Sequence, residues 1–99
     1  MRVVLYGKAF GSDYDELMRD LLRLLKESSA EIIVYEPFLK DIKHCFDADV
    51  EYSFLKESDD IRDKADMMFS FGGDGTILDS LPIIRDSGVP VLGINTGNL

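Results

Sequence analysis

The stretch that decides the fold of this chain reads Phe69-Ser70-Phe71-Gly72-Gly73-Asp74-Gly75-Thr76. An apolar run at residues 67–71 ends there in three glycines around one carboxylate, and a helical pattern follows from Thr76. A strand, a tight glycine turn and a helix together place backbone N–H groups and a helix N-terminus at the carboxyl edge of a sheet. Glycine allows a positive φ in such a turn and lets a ligand approach the backbone with no Cβ in the way. The stretch therefore predicts a phosphate- or nucleotide-binding turn in an α/β fold.

The carboxylate in this turn sets it apart, because phosphate-cradling loops ordinarily carry a lysine where this one carries Asp74. Three roles fit Asp74: a general base toward a hydroxyl, a ligand of a divalent cation, or a hydrogen-bond acceptor that orients a hydroxyl. A helix N-terminus stabilises the ionised carboxylate and so weakens it as a base. Phosphoryl transfer through a loose transition state needs little early deprotonation, so the orienting role is sufficient for that reaction. A purely structural tight turn is the alternative.

Outward from this turn, four short runs are typical of buried parallel strands, being continuous, apolar and mostly β-branched. They cover residues 2–6, 31–35, 67–71 and 91–94. Helical patterns lie between them. The strongest begins after Ser12, which we expect to be its N-cap, and ends near Ser28. A second, short helix opens at Pro37 and runs through Ile42.

The remaining segments are less regular. Residues 47–55 alternate apolar and polar side chains near their end, which fits either a loop or a short extended piece. Residues 58–64 indicate a short capped turn of helix. In the helix after the glycine turn, Pro82 cannot donate a hydrogen bond to the carbonyl of Leu78, so we expect a kink or a break there. Gly88 should end that segment.

Alternation of strands with helices predicts an α/β fold with a parallel sheet of at least four strands and helices on both faces. The expected strand order is 2-1-3-4, which puts the switch point between the first and third strands. The loops at residues 7–11 and 72–75 both leave the sheet there, where such sheets bind ligands. The first loop lacks the G-x-G-x-x-G spacing of a dinucleotide fingerprint, so a simple turn explains it equally well.

Composition limits the partners that the chain can have. A net charge of −8 and a pI near 4.4 argue against a general nucleic-acid or anionic membrane surface. Cys45 is the single cysteine, which excludes an internal disulfide and a multi-cysteine zinc site. We interpret it as a half-buried small side chain, and the lone His44 as a surface or helix-end residue rather than a ligand or a base.

A second glycine-containing loop, residues 95–99, follows the fourth strand, and the sequence stops inside it. A domain seldom ends at the edge where its fold would bind a ligand. We therefore expect residues 1–99 to be an N-terminal α/β nucleotide-binding domain, a fragment of a longer two-domain protein. The apolar run at residues 3–6 is too short for a signal peptide, and no stretch is long enough to span a membrane, so the expected location is the cytoplasm.

Several reaction classes lack their motifs, since the sequence contains no G-x-x-x-x-G-K-[ST], no H-E-x-x-H and no G-x-S-x-G. Charge neutralisation also poses a problem. After Lys64 the sequence has one cation, Arg85, at the far end of its helix. A phosphate donor would then have to be neutralised by a metal ion or by residues outside this chain.

The two glycine loops together resemble the N-terminal domain of the NAD kinase family. The first reads Gly72-Gly73-Asp74-Gly75-Thr76 and the second reads Gly93-Ile94-Asn95-Thr96-Gly97-Asn98-Leu99. The first loop is shared with diacylglycerol kinases and 6-phosphofructokinases, whereas lipid kinases of that group have a G-T-G-N-D type loop in place of the second. The resemblance covers the whole chain as a strand–helix pattern, implies a phosphofructokinase-like sheet, and is specific in these two motifs alone.

The resemblance implies an enzyme that phosphorylates the 2′-hydroxyl of the adenosine ribose of NAD, giving NADP. The phosphate donor is ATP or inorganic polyphosphate, the cofactor is a divalent metal cation with Mg²⁺ expected, and the full-length protein is expected to be a homo-oligomer. By the same resemblance, Asp74 is the catalytic acceptor of the hydroxyl proton. Gly73, Asp74, Gly75 and Leu78 would lie against NAD, and Asn98 would lie near the pocket. No metal ligand is assigned.

The resemblance also has its departures and its alternatives. Asp79 stands where many family members carry a basic or neutral residue, so no ligand contact is assigned to it. The fragment alone is expected to be inactive, because it has one catalytic carboxylate but no cation to hold a phosphate donor, and because its second loop is cut short. Another kinase of the same superfamily, acting on a lipid or a sugar, is one alternative. A non-catalytic nucleotide-sensing domain with a similar sheet is the other.

Overall fold

The computed structural model describes residues 1–8 and 10–96, and of Asp74 it describes the backbone alone. Five strands and three α-helices follow one another along the chain. The strands are β1 (Arg2–Gly7), β2 (Glu31–Tyr35), β3 (Ser53–Leu55), β4 (Met67–Gly72) and β5 (Val91–Asn95). The α-helices are α1 (Asp15–Glu27), α2 (Glu36–Ile42) and α3 (Asp74–Ile84), with short 3₁₀ turns at Ser12–Tyr14 and Lys43–Cys45. Among the described residues, no helix combines the length and apolar character that crossing a membrane requires.

The five strands form one parallel sheet in the order β3-β2-β1-β4-β5. The central strand β1 pairs with both neighbours, so that Val4 lies opposite Ile33 of β2 and Met68 of β4. The predicted order 2-1-3-4 is confirmed for the four expected strands. A fifth strand, β3, adds one edge beside β2, with Ser53 opposite Ile33. Of the two alternatives for residues 47–55, a loop or a short extended piece, the structure has a short strand at the end of the segment.

Helices cover both faces of the sheet, as predicted, and each face has its own apolar core. On one face α1 and α2 pack over alternate strand residues such as Val3 and Leu5. On the other face α3 and the turns at residues 61–65 pack over Val4, Tyr6 and Met68. The alternation follows from the strand geometry, because successive side chains point to opposite faces. Burial on both faces explains why the strands are continuous apolar runs.

The start of α1 differs from the prediction. Ser12 is not an N-cap, because it is the first residue of a 3₁₀ turn, and α1 begins at Asp15. The amide of Tyr14 donates to the carbonyl of Gly11 at 3.1 Å, so the chain winds into the helix through backbone hydrogen bonds. Tyr14 occupies the N-cap position of α1 without a side-chain cap. A 3₁₀ entry of this kind satisfies the first amides without a capping hydroxyl.

The helix after the glycine turn also differs from the prediction, because α3 continues through Pro82 to Ile84. The expected break is therefore wrong, while the alternative of a kink stays a prediction. Pro82 lies on the exposed side of the helix, while Ile84 is buried against the sheet. The packing of the apolar side stabilises the helix enough to tolerate one lost backbone hydrogen bond. Residues 58–64 form turns rather than the expected short helix.

Candidate active site

The candidate site lies where β1, β4 and β5 reach the carboxyl edge of the sheet. Gly7 lies opposite Phe71, and Gly72 lies opposite Asn95, so all three strands end at the same level. The amide of Thr96 donates to the carbonyl of Gly72 at 3.1 Å, which joins the two glycine loops directly. For the described residues, the prediction that both loops share one edge is confirmed. Gly97 and Asn98 lie outside the described residues.

The turn between β4 and α3 depends on Gly72. Its φ is +153°, a conformation that L side chains rarely adopt, and a Cβ added to it would come within 2.8 Å of Thr76 Cβ. The Thr76 side chain is buried against this glycine, and its amide donates to the carbonyl of Gly73 at 3.1 Å. The strand can therefore turn into α3 within one residue, which puts the N-terminus of the helix at the carboxyl edge.

The first turn of α3 presents the predicted binding residues. Gly73 is the N-cap residue in an extended conformation, and α3 begins with the backbone of Asp74. A Cβ added to Gly73 or Gly75 would meet no atom of the described residues within 4 Å, so among these residues the space beside both backbones is open. The Leu78 side chain, one turn further on, is 67% exposed. Gly73, Asp74, Gly75 and Leu78 thus lie together on one helix end that has room for a ligand.

A small cavity of about 130 Å³ lies between the ends of β4 and β5. It is lined by Ser70, Gly72, Gly73, Ile77, Gly93, Ile94 and Asn95. Two hydroxyls in this region, Ser70 Oγ and Thr96 Oγ1, are buried without a hydrogen-bond partner among the described residues. A buried hydroxyl without a partner costs free energy, so polar groups in such positions usually meet a ligand, a water or an ion. Both hydroxyls were missed by the sequence reasoning.

A cation also lies at this edge, contrary to the expectation drawn from the sequence. Lys8 follows β1, its amide donates to the carbonyl of Phe71 at 3.1 Å, and its Nζ lies 3.1 Å from Asp79 Oδ2 on α3. Lys8 lies 66 positions before Asp74 in the sequence, so it was not among the cations near the motif, which were those after Lys64. The predicted strand order could have identified Lys8, because it places the end of β1 beside the end of β4 at the switch point.

A second, larger cleft of about 440 Å³ opens beside Lys8 on the same edge. Its lining consists of Tyr6, Gly7, Lys8, Tyr35, Pro37, Lys40, Asp41, Glu57 and Asp79. The rings of Tyr6 and Tyr35 pack with centroids 4.9 Å apart at its base. Burial, and after it the charge of Asp79, raises the pKa of the Tyr6 hydroxyl, which keeps that hydroxyl a neutral hydrogen-bond donor.

Known proteins match this chain over all or nearly all of its length. Residues 4–99 match the model of the ATP-NAD kinase N-terminal domain. The chain is 33% identical to an NAD kinase of Christiangramia forsetii over 99 residues, which cover the whole chain and 34% of that protein. It is 29% identical to an NAD kinase of Flavobacterium johnsoniae, again over the whole chain and 34% of the relative.

A solved structure has the same fold. The crystal structure of yeast NADH kinase complexed with NADH superposes with a TM-score of 0.67 at 23% identity, over the whole of this chain and 30% of that one. This chain therefore spans about a third of the length of the relatives that it matches. The residues that match the family model, 4–99, include both glycine loops. The chain belongs to the ATP-NAD kinase N-terminal domain family.

Proposed function

We propose that this chain is the N-terminal domain of a two-domain NAD kinase, which transfers a phosphoryl group to the 2′-hydroxyl of the adenosine ribose of NAD. The proposal is supported most by one arrangement, the Gly73-Asp74-Gly75 segment at the start of α3 beside the loop after β5. The family match covers both segments. The relatives are about three times as long as this chain, so residues outside it would complete the site.

In this proposal each residue of the first turn has a physical task. The open space at Gly73 and Gly75 lets NAD approach the backbone, and the exposed Leu78 offers it an apolar surface. Asp74 accepts the hydrogen bond of the ribose hydroxyl and takes its proton as the phosphoryl group arrives. Asn98 is proposed to contact the nucleotide from the second loop.

The proposed phosphate donor is ATP or inorganic polyphosphate. Lys8 is a cation at the edge of the sheet where the donor would lie, and its ammonium group could exchange Asp79 for a donor phosphate. The ion pair is half-exposed on both sides, so breaking it costs little. The terminal P–O bond of the donor breaks as the bond to the ribose 2′-oxygen forms, Asp74 takes the ribose proton, and ADP or a polyphosphate shorter by one phosphate leaves.

A divalent cation fits the residues at this edge, and we propose Mg²⁺. Mg²⁺ commonly keeps several waters and binds through one or two carboxylates together with substrate phosphates. The motif offers oxygen donors alone, since it carries Asp74 and two buried hydroxyls, Ser70 and Thr96, that have no hydrogen-bond partner among the described residues. The cation would supply positive charge to the donor phosphates. A cytoplasmic, homo-oligomeric full-length protein remains part of the proposal.

The test is Asp74→Asn in the complete protein, assayed for NADP formation. Asparagine keeps the size of the side chain and loses the charge and the basic oxygen. We expect kcat to fall by about 10²–10⁴-fold, the range for a positioned acid–base group, while the dissociation constant of NAD changes little. Asp86→Asn is the matched control, since Asp86 is an exposed carboxylate beyond the other end of α3.

The outcomes separate the alternatives. A kcat within about tenfold of the parent would show that Asp74 is not the catalytic group. A collapse of NAD binding in Asp74→Asn would show that the turn is a recognition element, and NAD binding without turnover in the parent protein would favour a non-catalytic nucleotide-sensing domain. The isolated 99-residue chain should form no NADP, because the site needs residues beyond it, and turnover by that chain alone would refute this part of the proposal.

A further inference from the structure

Three donor side chains of three different kinds meet on the face of the sheet covered by α1 and α2. Asp15 begins α1, and His44 and Cys45 lie in the 3₁₀ turn after α2. His44 Nε2 lies 2.7 Å from Asp15 Oδ2, and Cys45 Sγ lies 3.6 Å from Asp15 Oδ1. One donor atom from each residue falls within 4.8 Å of the other two. His44 and Cys45 are the only histidine and the only cysteine of the sequence.

We propose that Asp15, His44 and Cys45 form a zinc-binding site that shares no residue with the proposed phosphoryl-transfer site. Thiolate, imidazole and carboxylate are the three ligand types that Zn²⁺ takes in proteins, and Mg²⁺ or Ca²⁺ would prefer oxygen alone. This mixture of sulfur, nitrogen and oxygen therefore distinguishes the site from the magnesium site of the kinase proposal. The two sites can be tested independently.

The donor atoms lie close enough for one metal ion, all within 4.8 Å of one another, with His44 and Cys45 each contacting a different oxygen of Asp15. With Zn–S near 2.3 Å and Zn–N and Zn–O near 2.0–2.2 Å, ligand atoms in a tetrahedron lie about 3.4–3.6 Å apart. The Cys45–Asp15 separation of 3.6 Å already has this value. The His44–Asp15 separation of 2.7 Å must open by about 0.7 Å for a metal to enter. A rotation of the exposed His44 ring is enough for that change.

Charge and burial also suit a zinc ion. One carboxylate and one thiolate would neutralise its two positive charges, and neutral His44 would complete three protein ligands. Cys45 is 2% exposed and the Asp15 side chain is 17% exposed, whereas the His44 side chain is 51% exposed. The buried side therefore supplies sulfur and oxygen, and the fourth position faces solvent through the His44 side, where a water can bind.

The metal-free arrangement is an ordinary hydrogen-bonded cluster. The thiol of Cys45 donates to Asp15, and burial, followed by the nearby Asp15 charge, raises the pKa of Cys45 to about 11. The thiol is then protonated, so zinc binding releases that proton to solvent as the Zn–S bond forms. The ion would tie the first residue of α1 to the turn after α2, which are otherwise joined by these weak contacts.

Titration of the purified complete protein with Co²⁺ tests the site directly, with Co²⁺ standing in for Zn²⁺. Cys45 is the one cysteine of these 99 residues, so the thiolate-to-cobalt charge-transfer band of this site is the part of the spectrum that Cys45→Ser removes. We expect that band, together with the visible spectrum of tetrahedral Co²⁺, and we expect Zn²⁺ to abolish both by displacement. Zn²⁺ at about 100 times its dissociation constant should raise the thermal midpoint by on the order of 10 °C.

Variants assign the ligands. His44→Gln changes an exposed side chain and should preserve the fold, which circular dichroism would check, while weakening Zn²⁺ binding by at least about tenfold. Cys45→Ser should remove the charge-transfer band. Asp13→Asn removes an exposed carboxylate two residues before Asp15 and is the matched control, expected to leave the spectrum and the affinity unchanged.

Two results would overturn the proposal. One is a folded parent chain that gives no charge-transfer band at saturating Co²⁺. The other is Zn²⁺ binding that persists at parent affinity in His44→Gln, which would indicate adventitious binding elsewhere. Neither result bears on the kinase proposal, because the proposed zinc ligands and the proposed NAD-binding residues have no residue in common.

Discussion

Alanine at Gly72 should damage the fold, because this position has no room for a Cβ. Its φ of +153° is unfavourable for an L residue, and the new Cβ would approach Thr76 Cβ to 2.8 Å. Backbone strain of this kind costs about 1–3 kcal/mol, and overpacking of a buried side chain costs about 1–3 kcal/mol more. The expected loss in the free energy of unfolding is therefore about 2–6 kcal/mol, a large share of the 5–15 kcal/mol of a typical domain.

Alanine at the neighbouring Gly73 is the matched control for stability. Gly73 has φ −87° and ψ −168°, which any L residue adopts, and a Cβ there would meet no atom within 4 Å in the part of the chain that the structure describes. We expect a change within about 0.5 kcal/mol. In the complete protein the same methyl group would occupy the space where we propose that NAD meets the backbone. Gly73→Ala should therefore lower kcat/KM for NAD while leaving the fold intact.

Urea unfolding followed by circular dichroism measures both free energies, and NADP formation measures the activity. The two substitutions should have different effects: Gly72→Ala should lower stability, and Gly73→Ala should lower activity. A loss below about 1 kcal/mol in Gly72→Ala would refute the steric account of the turn. Full activity in Gly73→Ala would refute the close approach of a ligand at that backbone.

Two further changes test local features of the fold. Pro82→Ala restores an amide that can donate to the carbonyl of Leu78 and changes an exposed side chain, so the free energy of unfolding should rise by up to about 3 kcal/mol; a lower urea midpoint would show that Pro82 stabilises α3. Hydrogen bonds from Lys26 and then Arg23 lower the pKa of Asp49 to about 2, below its unfolded value, so this contribution to stability is present above about pH 4 and is lost as the pH falls through about 2. Thermal melts of Asp49→Asn and the parent should therefore converge as the pH falls from 4 to 2, and a constant difference would contradict the assignment.

The sequence predicted the central strands because parallel strands covered on both faces must be continuous apolar runs. It predicted the glycine turn because a helix that starts directly after a strand needs a residue able to take a positive φ. The three-residue strand β3 is too short for its pattern to distinguish it from a loop, and its pairing with β2 decides its conformation. Pro82 misled the prediction because local propensity does not include the packing of Ile84.

Two pairs of side chains that the sequence did not predict, one at the candidate active site and one at the proposed zinc site, depend on contacts between distant residues. Lys8 meets Asp79 across 71 positions, and Asp15 meets His44 across 29. No local pattern encodes such a pair, because the packing of separate helices and loops on the sheet sets the distance. The predicted site residues that the structure describes, from Gly73 to Leu78, lie within one short segment, which is why a motif could identify them.

The measurement that tests the central claim most directly is the phosphorylation of NAD by the complete protein. Purified enzyme is incubated with NAD, Mg²⁺ and either ATP or polyphosphate, and NADP is detected with an NADP-specific dehydrogenase. We predict NADP formation with at least one donor, abolished by chelation of Mg²⁺ and reduced by about 10²–10⁴-fold in Asp74→Asn. Phosphorylation of a diacylglycerol or a sugar with no NADP from either donor would contradict the account, and so would tight NAD binding without turnover.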